Sequence, residues 1–288
     1  MDINSVLNKS YIILRGKSKT YKLDCEIILS HVLNIKNRLE LFSDRNYILN
    51  SREKTLFFDK IKERENLKPV SKIINKKNFW NFDVDVSKNI LIPRPETEVL
   101  IDIVCSKIKK NSKIYFLDIG CGSGCISLSL LDYFKKSNAL ALDVSKDAIL
   151  NTKINVNKNN FQDRIKILHG DLFKFKTEKK FDLIISNPPY LKLSKYNNLC
   201  TSIKLFEPKL ALVGDNQDGL LFFKQIIFNL KDKLKLNGYL AFEIGDSQFI
   251  RLERMLKLNG FIIEEKYKLV NRQIRCILAK KIKNYTLQ

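Results

Sequence analysis

Histidine is nearly missing from this sequence: His31 and His169 are the only two in 288 residues. The six cysteines, Cys25, Cys105, Cys121, Cys125, Cys200 and Cys276, include no Cys-x-x-Cys pair. That spacing suits neither a zinc site nor a disulfide framework, so free thiols in a reducing compartment are expected and no metal is. Long apolar runs are lacking too, which excludes a membrane-spanning helix from the expectation. Met1-Asp2-Ile3-Asn4 shows no basic stretch leading into an apolar one, the pattern of a secretory leader. The expectation is a soluble, cytoplasmic protein.

Acidic residues are scarce: 31 Asp and Glu stand against 52 Lys and Arg, a formal charge of +21. One reading is a polyanionic neighbourhood such as RNA, a ribosome or an acidic protein surface. The other is AT-rich coding, which inflates Lys, Ile and Asn together. The charge is spread along the chain rather than clustered, so it does not choose a substrate. Hydrophobic residues at 44% are enough for a large core.

The chain to about Lys72 reads as helical. Leu23, Ile27, Ile28 and Val32 recur at helical spacing, and Phe57 with Ile61 repeats it. Asp24 and Asp44 sit near plausible helix starts, and Pro69 is placed to end the last helix. Phe79 to Val86 then alternates with period two, and Ile90-Leu91-Ile92 resumes after Ser87-Lys88-Asn89, which reads as a hairpin. The expected organisation is a helical domain over 1–75, a β-hairpin linker over 76–95 and a larger domain over 96–288.

In that larger domain strands and helices alternate. Ile114–Leu117, Leu140–Leu142, Ile165–Leu168, Leu183–Ile185, Tyr239–Phe242 and Ile274–Leu278 are the expected strands. Amphipathic stretches around Ile126–Phe134, Ala148–Val156, Leu220–Leu236 and Ile250–Leu258 lie between them. The class is α/β, a doubly wound parallel sheet with ligands at the carboxyl ends of its strands.

Three of those ends carry ligand-shaped residues. After the first comes Gly120-Cys121-Gly122-Ser123-Gly124, a turn whose backbone can approach a ligand, with a helix N-terminus expected near Ser123. Its Gly-x-Gly-x-Gly spacing matches loops that bind S-adenosylmethionine better than the Gly-x-Gly-x-x-Gly of nicotinamide enzymes. Asp143 ends the second strand, where an acid accepts ribose hydroxyls. Asp171 ends the third, placed for an adenine amino group, with Leu172 available to cover the ring. Each acid alone could equally be a helix cap.

The fourth end is Asn187-Pro188-Pro189-Tyr190. Prolines remove N–H donors and leave carbonyls outward. The Asn187 amide oxygen and the Pro188 carbonyl can together accept both hydrogens of a planar NH2 group. This positions a nitrogen whose delocalised lone pair makes it a poor nucleophile. Tyr190 offers a flat face to the substrate. The chemistry needs orientation and electrostatic alignment, without a covalent intermediate or metal. The motif serves adenine or cytosine in nucleic acid as well as glutamine in protein, and cannot itself separate them.

The sequence resembles the peptide-chain release factor glutamine methyltransferase family over nearly its whole length. Beside Asn187–Tyr190, the resemblance rests on Leu91-Ile92-Pro93-Arg94-Pro95-Glu96-Thr97-Glu98, on Phe206-Glu207-Pro208 through Val213-Gly214, and on Asp218-Gly219-Leu220. Lys68-Pro69-Val70 through Phe79-Trp80 is similar to the family's interdomain stretch, and Asp24–Ile28 to its helical N-terminal domain. Glu96 stands where the family mostly has Asp, a glycine before Pro69 is absent, and Leu172 takes a place often aromatic.

The resemblance implies a class I S-adenosylmethionine-dependent methyltransferase fold, Rossmann-like with a mostly parallel seven-stranded sheet, and a small all-α N-terminal domain. It implies that Gly120 to Gly124, Asp143, Leu172 and Asn187 contact the cofactor, and that Asn187 to Tyr190 hold the glutamine. The implied substrate is the Gly-Gly-Gln glutamine of class I release factors, gripped with help from the helical domain; no membrane and no direct nucleic-acid binding are required. A sister family methylates a glutamine of a ribosomal protein, and an adenine-N6 nucleic-acid enzyme is the more distant alternative. A non-catalytic binding protein of the same fold is opposed by the intact loop, Asp143 and Asn187. Cys121 and Cys125 read as packing thiols, His169 as a strand-end residue, and Arg94 either as a residue that orients a substrate group or as a partner for Glu96 or Glu98. Glu243-Ile244-Gly245, at the fifth strand end, is placed to border the site but is given no role.

Overall fold

A computed structural model describes residues 1–43, 47–269 and 273–282; Asp44 lies outside them. The chain divides into two compact units, Met1–Lys76 with Cys200–Phe206, and Lys77–Leu199 with Glu207–Gln288.

In the first unit Asp2 caps α1 (Ile3–Leu14) by accepting from the Ser5 N–H at 2.8 Å. Then come α2 (Tyr21–Val32), a 3-10 turn over Arg38–Phe42, and α3 (Ser51–Glu65), which Asn50 and Glu53 start with a reciprocal capping box. Val6, Leu7, Ile28, Leu29, Phe57 and Ile61 form the core. The stripe expected on α2 is rotated: Cys25, Ile28 and Leu29 are buried, whereas Leu23 is 41% exposed. The rotation accommodates Asp24, which is buried beside Cys25 because the Ser18 and Thr20 hydroxyls and Arg64 all donate to it. Pro69 does not end a helix. It stands at the N-cap of a single turn, α4 (Val70–Ile73), where a missing N–H costs nothing.

The hairpin is β1 (Lys76–Phe79) with β2 (Phe82–Asp85). Its turn falls at Trp80-Asn81, not at Ser87-Lys88-Asn89, and Trp80 takes a φ of 55° to make it. Period two runs through a two-residue turn without a visible break, so the alternation alone could not locate it.

The second unit continues through α5 (Pro95–Lys107), β3 (Tyr115–Ile119), α6 (Cys125–Tyr133), β4 (Asn138–Asp143), α7 (Lys146–Lys158), β5 (Ile165–His169) and β6 (Phe181–Ser186). After β7 (Leu191–Lys192) and α8 (Leu193–Asn197), α9 (Thr201–Phe206) belongs to the first unit, where the Ser202 hydroxyl donates to the Leu67 carbonyl at 2.7 Å. The chain then runs through β8 (Val213–Asp215), α10 (Leu221–Leu230), β9 (Leu234–Glu243), α11 (Phe249–Leu258), β10 (Phe261–Lys268) and β11 (Ile274–Lys281).

Seven strands form one sheet in the order β10-β11-β9-β6-β3-β4-β5, with β5, β4, β3, β6 and β9 parallel and β11 and β10 antiparallel. Alternate residues leave opposite faces. Phe116, Ala141, Leu183 and Ile185 meet Leu100, Leu128 and Leu131 of α5 and α6. Leu117, Leu142, Ile184 and Phe242 meet Phe223, Ile227 and Leu252 of α10 and α11. Burial on both faces makes these strands near-continuous apolar runs. The expected helix Leu220–Leu236 ends at Leu230, because Leu234 already opens β9. The chain turns back at β3, leaving β4 on one side and β6 on the other. In an open parallel sheet that reversal opens a crevice at the carboxyl ends.

Candidate functional site

The glycine turn leaves β3 and is tied to β4. The N–H groups of Gly120 and Cys121 donate to the Leu142 carbonyl at 2.8 and 3.2 Å, and Gly122 N–H donates to Asp143 Oδ2 at 3.0 Å. Asp143 Oδ1 accepts from Ser145 N–H at 2.9 Å, so one carboxylate fixes both the loop and the start of α7. Burial raises the Asp143 pKa against the pull of those N–H groups. Gly120 has a φ of 71°, and a Cβ built there meets no atom within 4 Å. The residue faces open space, so a ligand can approach its backbone. Helix α6 begins at Cys125, two residues later than expected, because Gly124 remains left-handed at φ 79°.

A cleft of about 270 Å³ lies over these strand ends, with Gly120, Asp143, Asp171, Leu172, Asn187 and Pro188 in its wall. Pro189 borders it too, as do Leu91, Leu210 and Phe222. Asp171 lies two residues beyond β5 and accepts from Phe173 N–H at 2.9 Å. Cys121, Gly122, Ser123 and Gly124 stand behind the wall: Cys121 and Ser123 are buried, and the Ser123 carbonyl accepts from Asn155 at 2.9 Å. Cys121 and Cys125 both pack in the core, where burial raises their thiol pKa values. The donor set suits a nucleoside-bearing cofactor: exposed glycine backbone, a carboxylate at a strand end, and an apolar wall from Leu172 and Phe222.

At the other end, Asn187 follows β6 and its Nδ2 donates to Thr97 Oγ1 at 3.1 Å. Thr97, 2% exposed, donates in turn to Glu243 Oε2 at 2.6 Å. The Tyr190 hydroxyl donates to Glu243 Oε1 at 3.3 Å and accepts from Arg275. The Arg275 guanidinium also meets Glu243 Oε1 at 3.2 Å and lies 4.9 Å from the Tyr190 ring centre. Tyr190 thus stands beside the cleft wall with its hydroxyl held inside the protein. Burial raises the pKa of Glu243, opposed by Arg275, and burial with the charge of Glu243 raises that of Tyr190.

The backbone of this turn is clamped from outside. Gln248 Nε2 donates to the Tyr190 carbonyl at 3.0 Å, and a Cβ on Gly219 (φ 71°) would lie 2.1 Å from the same oxygen. Only glycine fits there. Glu207 is buried; it accepts from Ile92 N–H at 3.3 Å and from Arg94 at 2.5 Å, holding the segment before α5 against the cleft. Arg94 therefore pairs with Glu207 and not with Glu96 or Glu98.

This geometry coincides with sequence relationships. Residues 6–74 match the PrmC N-terminal domain and residues 96–207 the methyltransferase small domain. A release factor glutamine methyltransferase of Clostridium acetobutylicum is 37% identical, covering 97% of this chain and 98% of the relative. One from Clostridium botulinum is 34% identical, covering 91% and 93%. The chain belongs to the release factor glutamine methyltransferase family. A solved methyltransferase from Pyrococcus furiosus, 17% identical, superposes with a TM-score of 0.54 over 78% of this chain and 98% of that one. The fold is that of a class I S-adenosylmethionine-dependent methyltransferase.

Family membership gives the flanking segments a physical reading. Arg-Pro-Glu-Thr-Glu carries Thr97 to Asn187, Phe-Glu-Pro carries Glu207 to Arg94, and Asp-Gly-Leu brings Gly219 under Tyr190. Sequence reasoning gave no role to Thr97, Glu207, Glu243, Gln248 or Arg275. Glu243 was singled out without one, although an acid closing an apolar strand beside other ligand-bearing strand ends repeats the pattern of Asp143.

Proposed function

We propose that this chain transfers a methyl group from S-adenosylmethionine to the side-chain amide nitrogen, N5, of the Gly-Gly-Gln glutamine in class I peptide-chain release factors. The observation that carries this reading is one cleft with two chemistries. Gly120 and Asp143 lie at one end and Asn187 with Pro188 at the other, in a member of this family. The cofactor supplies a methyl on a sulfonium; the amide nitrogen gains that carbon and gives one proton to solvent, while sulfur keeps the bonding pair.

The protein's part is to hold and align. Asp143 accepts the ribose hydroxyls, Asp171 the adenine amino group, and Leu172 covers the ring. Backbone from Gly120 through Cys121, Gly122, Ser123 and Gly124 lets the amino-acid end approach. Asn187 Oδ1 and the Pro188 carbonyl accept the two amide hydrogens, so the nitrogen cannot rotate away from in-line attack. Pro189 stiffens the turn, and Tyr190 bounds the substrate's planar group. The helical unit contributes grip on the release factor, and the reaction takes place in the cytoplasm.

The test offers labelled S-adenosylmethionine with purified release factor, ribosomal protein and RNA in parallel, and locates the label by mass spectrometry. Label on the Gly-Gly-Gln glutamine is expected. Label confined to ribosomal protein or RNA would overturn the substrate.

A further inference from the structure

An ionised carboxylate has no proton to give, so the direction of each hydrogen bond from Glu243 is fixed. Its Oε2 lies 2.6 Å from Thr97 Oγ1, and the Thr97 hydroxyl must donate its single hydrogen there. What remains on Thr97 Oγ1 is lone pairs. The Asn187 side-chain atom 3.1 Å away must therefore be its NH2 and not its oxygen. The two ends of a side-chain amide are nearly the same size and shape, so the hydrogen-bond network decides between them. Here it turns Oδ1 the other way, toward the cleft that Asn187 lines. The second carboxylate oxygen accepts from Tyr190 and from Arg275. Glu243 is fully buried, on the last residue of β9, and Thr97 is buried in the first turn of α5. Neither touches the cleft.

We infer that Glu243 is the common positioning residue for both functional side chains of the Asn-Pro-Pro-Tyr turn, setting the amide orientation of Asn187 through Thr97 and the ring of Tyr190 directly. An inverted Asn187 amide would present two hydrogens to a substrate NH2, donor against donor, and no glutamine nitrogen could be held. The relay favours the productive rotamer, because that rotamer sets the Asn187 NH2 against the lone pairs that Thr97 Oγ1 has left. Arg275, 3.2 Å from Oε1, favours the charged carboxylate and with it the polarity of the chain of donors. This assignment rests on the proposed grip of Asn187 on a planar amide.

Thr97→Val removes the hydroxyl at nearly constant shape, and Thr97→Ser keeps it. The expected result is a kcat lowered roughly tenfold to a hundredfold in Thr97→Val, as for other groups displaced from alignment. The cofactor Kd should stay within about threefold and Thr97→Ser close to wild type. Glu243→Gln should lower kcat similarly, and the double variant Thr97→Val/Glu243→Gln should be no slower than its slower parent, because both break one relay. A kcat for Thr97→Val within about twofold of wild type, equal losses in Thr97→Ser and Thr97→Val, or multiplying effects in the double variant would each overturn it. If Glu243→Gln does not fold, the two Thr97 variants decide. A reading independent of any substrate comes from the 15N-labelled full chain. The Asn187 side-chain NH2 should exchange slowly in wild type and Thr97→Ser, and fast in Thr97→Val. Equal exchange in all three overturns the relay. A wild-type chain that labels no release factor overturns the functional reading alone, since the amide signals still judge the relay.

Discussion

Asn187 and Asp143 hang from the same sheet yet differ in what their loss removes. Among the described residues the Asn187 side chain is tied by its NH2 to Thr97, so truncation leaves the glycine turn and Asp143 in place. Asn187→Ala should lower kcat by roughly a hundredfold or more, the scale of losing one well-placed polar contact to a reacting group. Cofactor affinity, read by calorimetry, should change little; turnover near wild type would remove Asn187 from the mechanism. Asp143 holds Gly122 and Ser145 as well as facing the cleft. Asp143→Ala should weaken cofactor binding by about tenfold or more, from a lost charged acceptor and a loosened loop. Unchanged affinity would refute the ribose assignment. The acid limb of kcat belongs to Glu243. Burial raises its pKa and the nearby Glu96 adds to that, while Arg275, Thr97 and Tyr190 pull it down, with a net rise. Turnover that needs the ionised form should fall on acidification at a pH above the ordinary glutamate range. Arg275→Gln, which removes the opposing charge, should move that limb further up.

Elements explain why some of this was legible in the sequence and some was not. Buried parallel strands announce themselves as apolar runs: β4, β5, β6 and β9 each contain the expected segment, and β3 all of it but Ile114. The loop after β3 and the acid that ends β4 are legible too, because strand ends are local features. β10 escaped notice: Phe261-Ile262-Ile263 is followed by Glu264-Glu265-Lys266-Tyr267-Lys268, and an edge strand with a polar, half-exposed run carries no apolar signature. The network behind Asn187 was illegible for a different reason. Thr97 and Glu243 are 146 residues apart, on α5 and β9, and no periodicity links them. Gly219 is an element-scale residue of the same sort, seating the start of α10 beneath the turn that follows β6. Gly219→Ala places a methyl against the Tyr190 carbonyl at a φ that disfavours side chains. It should destabilise the protein by about 2 kcal/mol or more, read by urea denaturation. Turnover should drop as well, because the displaced carbonyl belongs to Tyr190. An unaltered unfolding midpoint would show that the turn has room to yield.

Across the whole molecule, one buried carboxylate should shape the pH dependence of stability. Asp118, at the penultimate position of β3, is fully buried; Ser127 donates to Oδ2 at 2.6 Å, and Oδ1 finds no partner among the described residues. Burial, with help from the charge of Asp143, raises its pKa to about 7. The folded chain thus holds this proton more tightly than the unfolded one, whose carboxyl releases it near the ordinary aspartate value of 3.8. Stability from this group is complete at low pH and is lost as pH rises toward 7, after which the deficit is constant. His31 opposes it: burial and two lysines lower its pKa, so its contribution grows as pH rises to the ordinary value of 6.5. Asp118→Asn mimics the protonated acid and removes one of the two trends. Relative to wild type it should gain stability from about pH 4 to about pH 7, at up to about 1.4 kcal/mol per pH unit, then run parallel above. Trp80, the only tryptophan, belongs to the same unit as Asp118 and packs on the core that α5 and α6 share with the sheet. Its fluorescence therefore reports the unfolding that matters, whatever the helical unit does. A stability difference that stays flat over that range would mean Asp118 is ionised in the folded protein, its charge met by a partner at Oδ1.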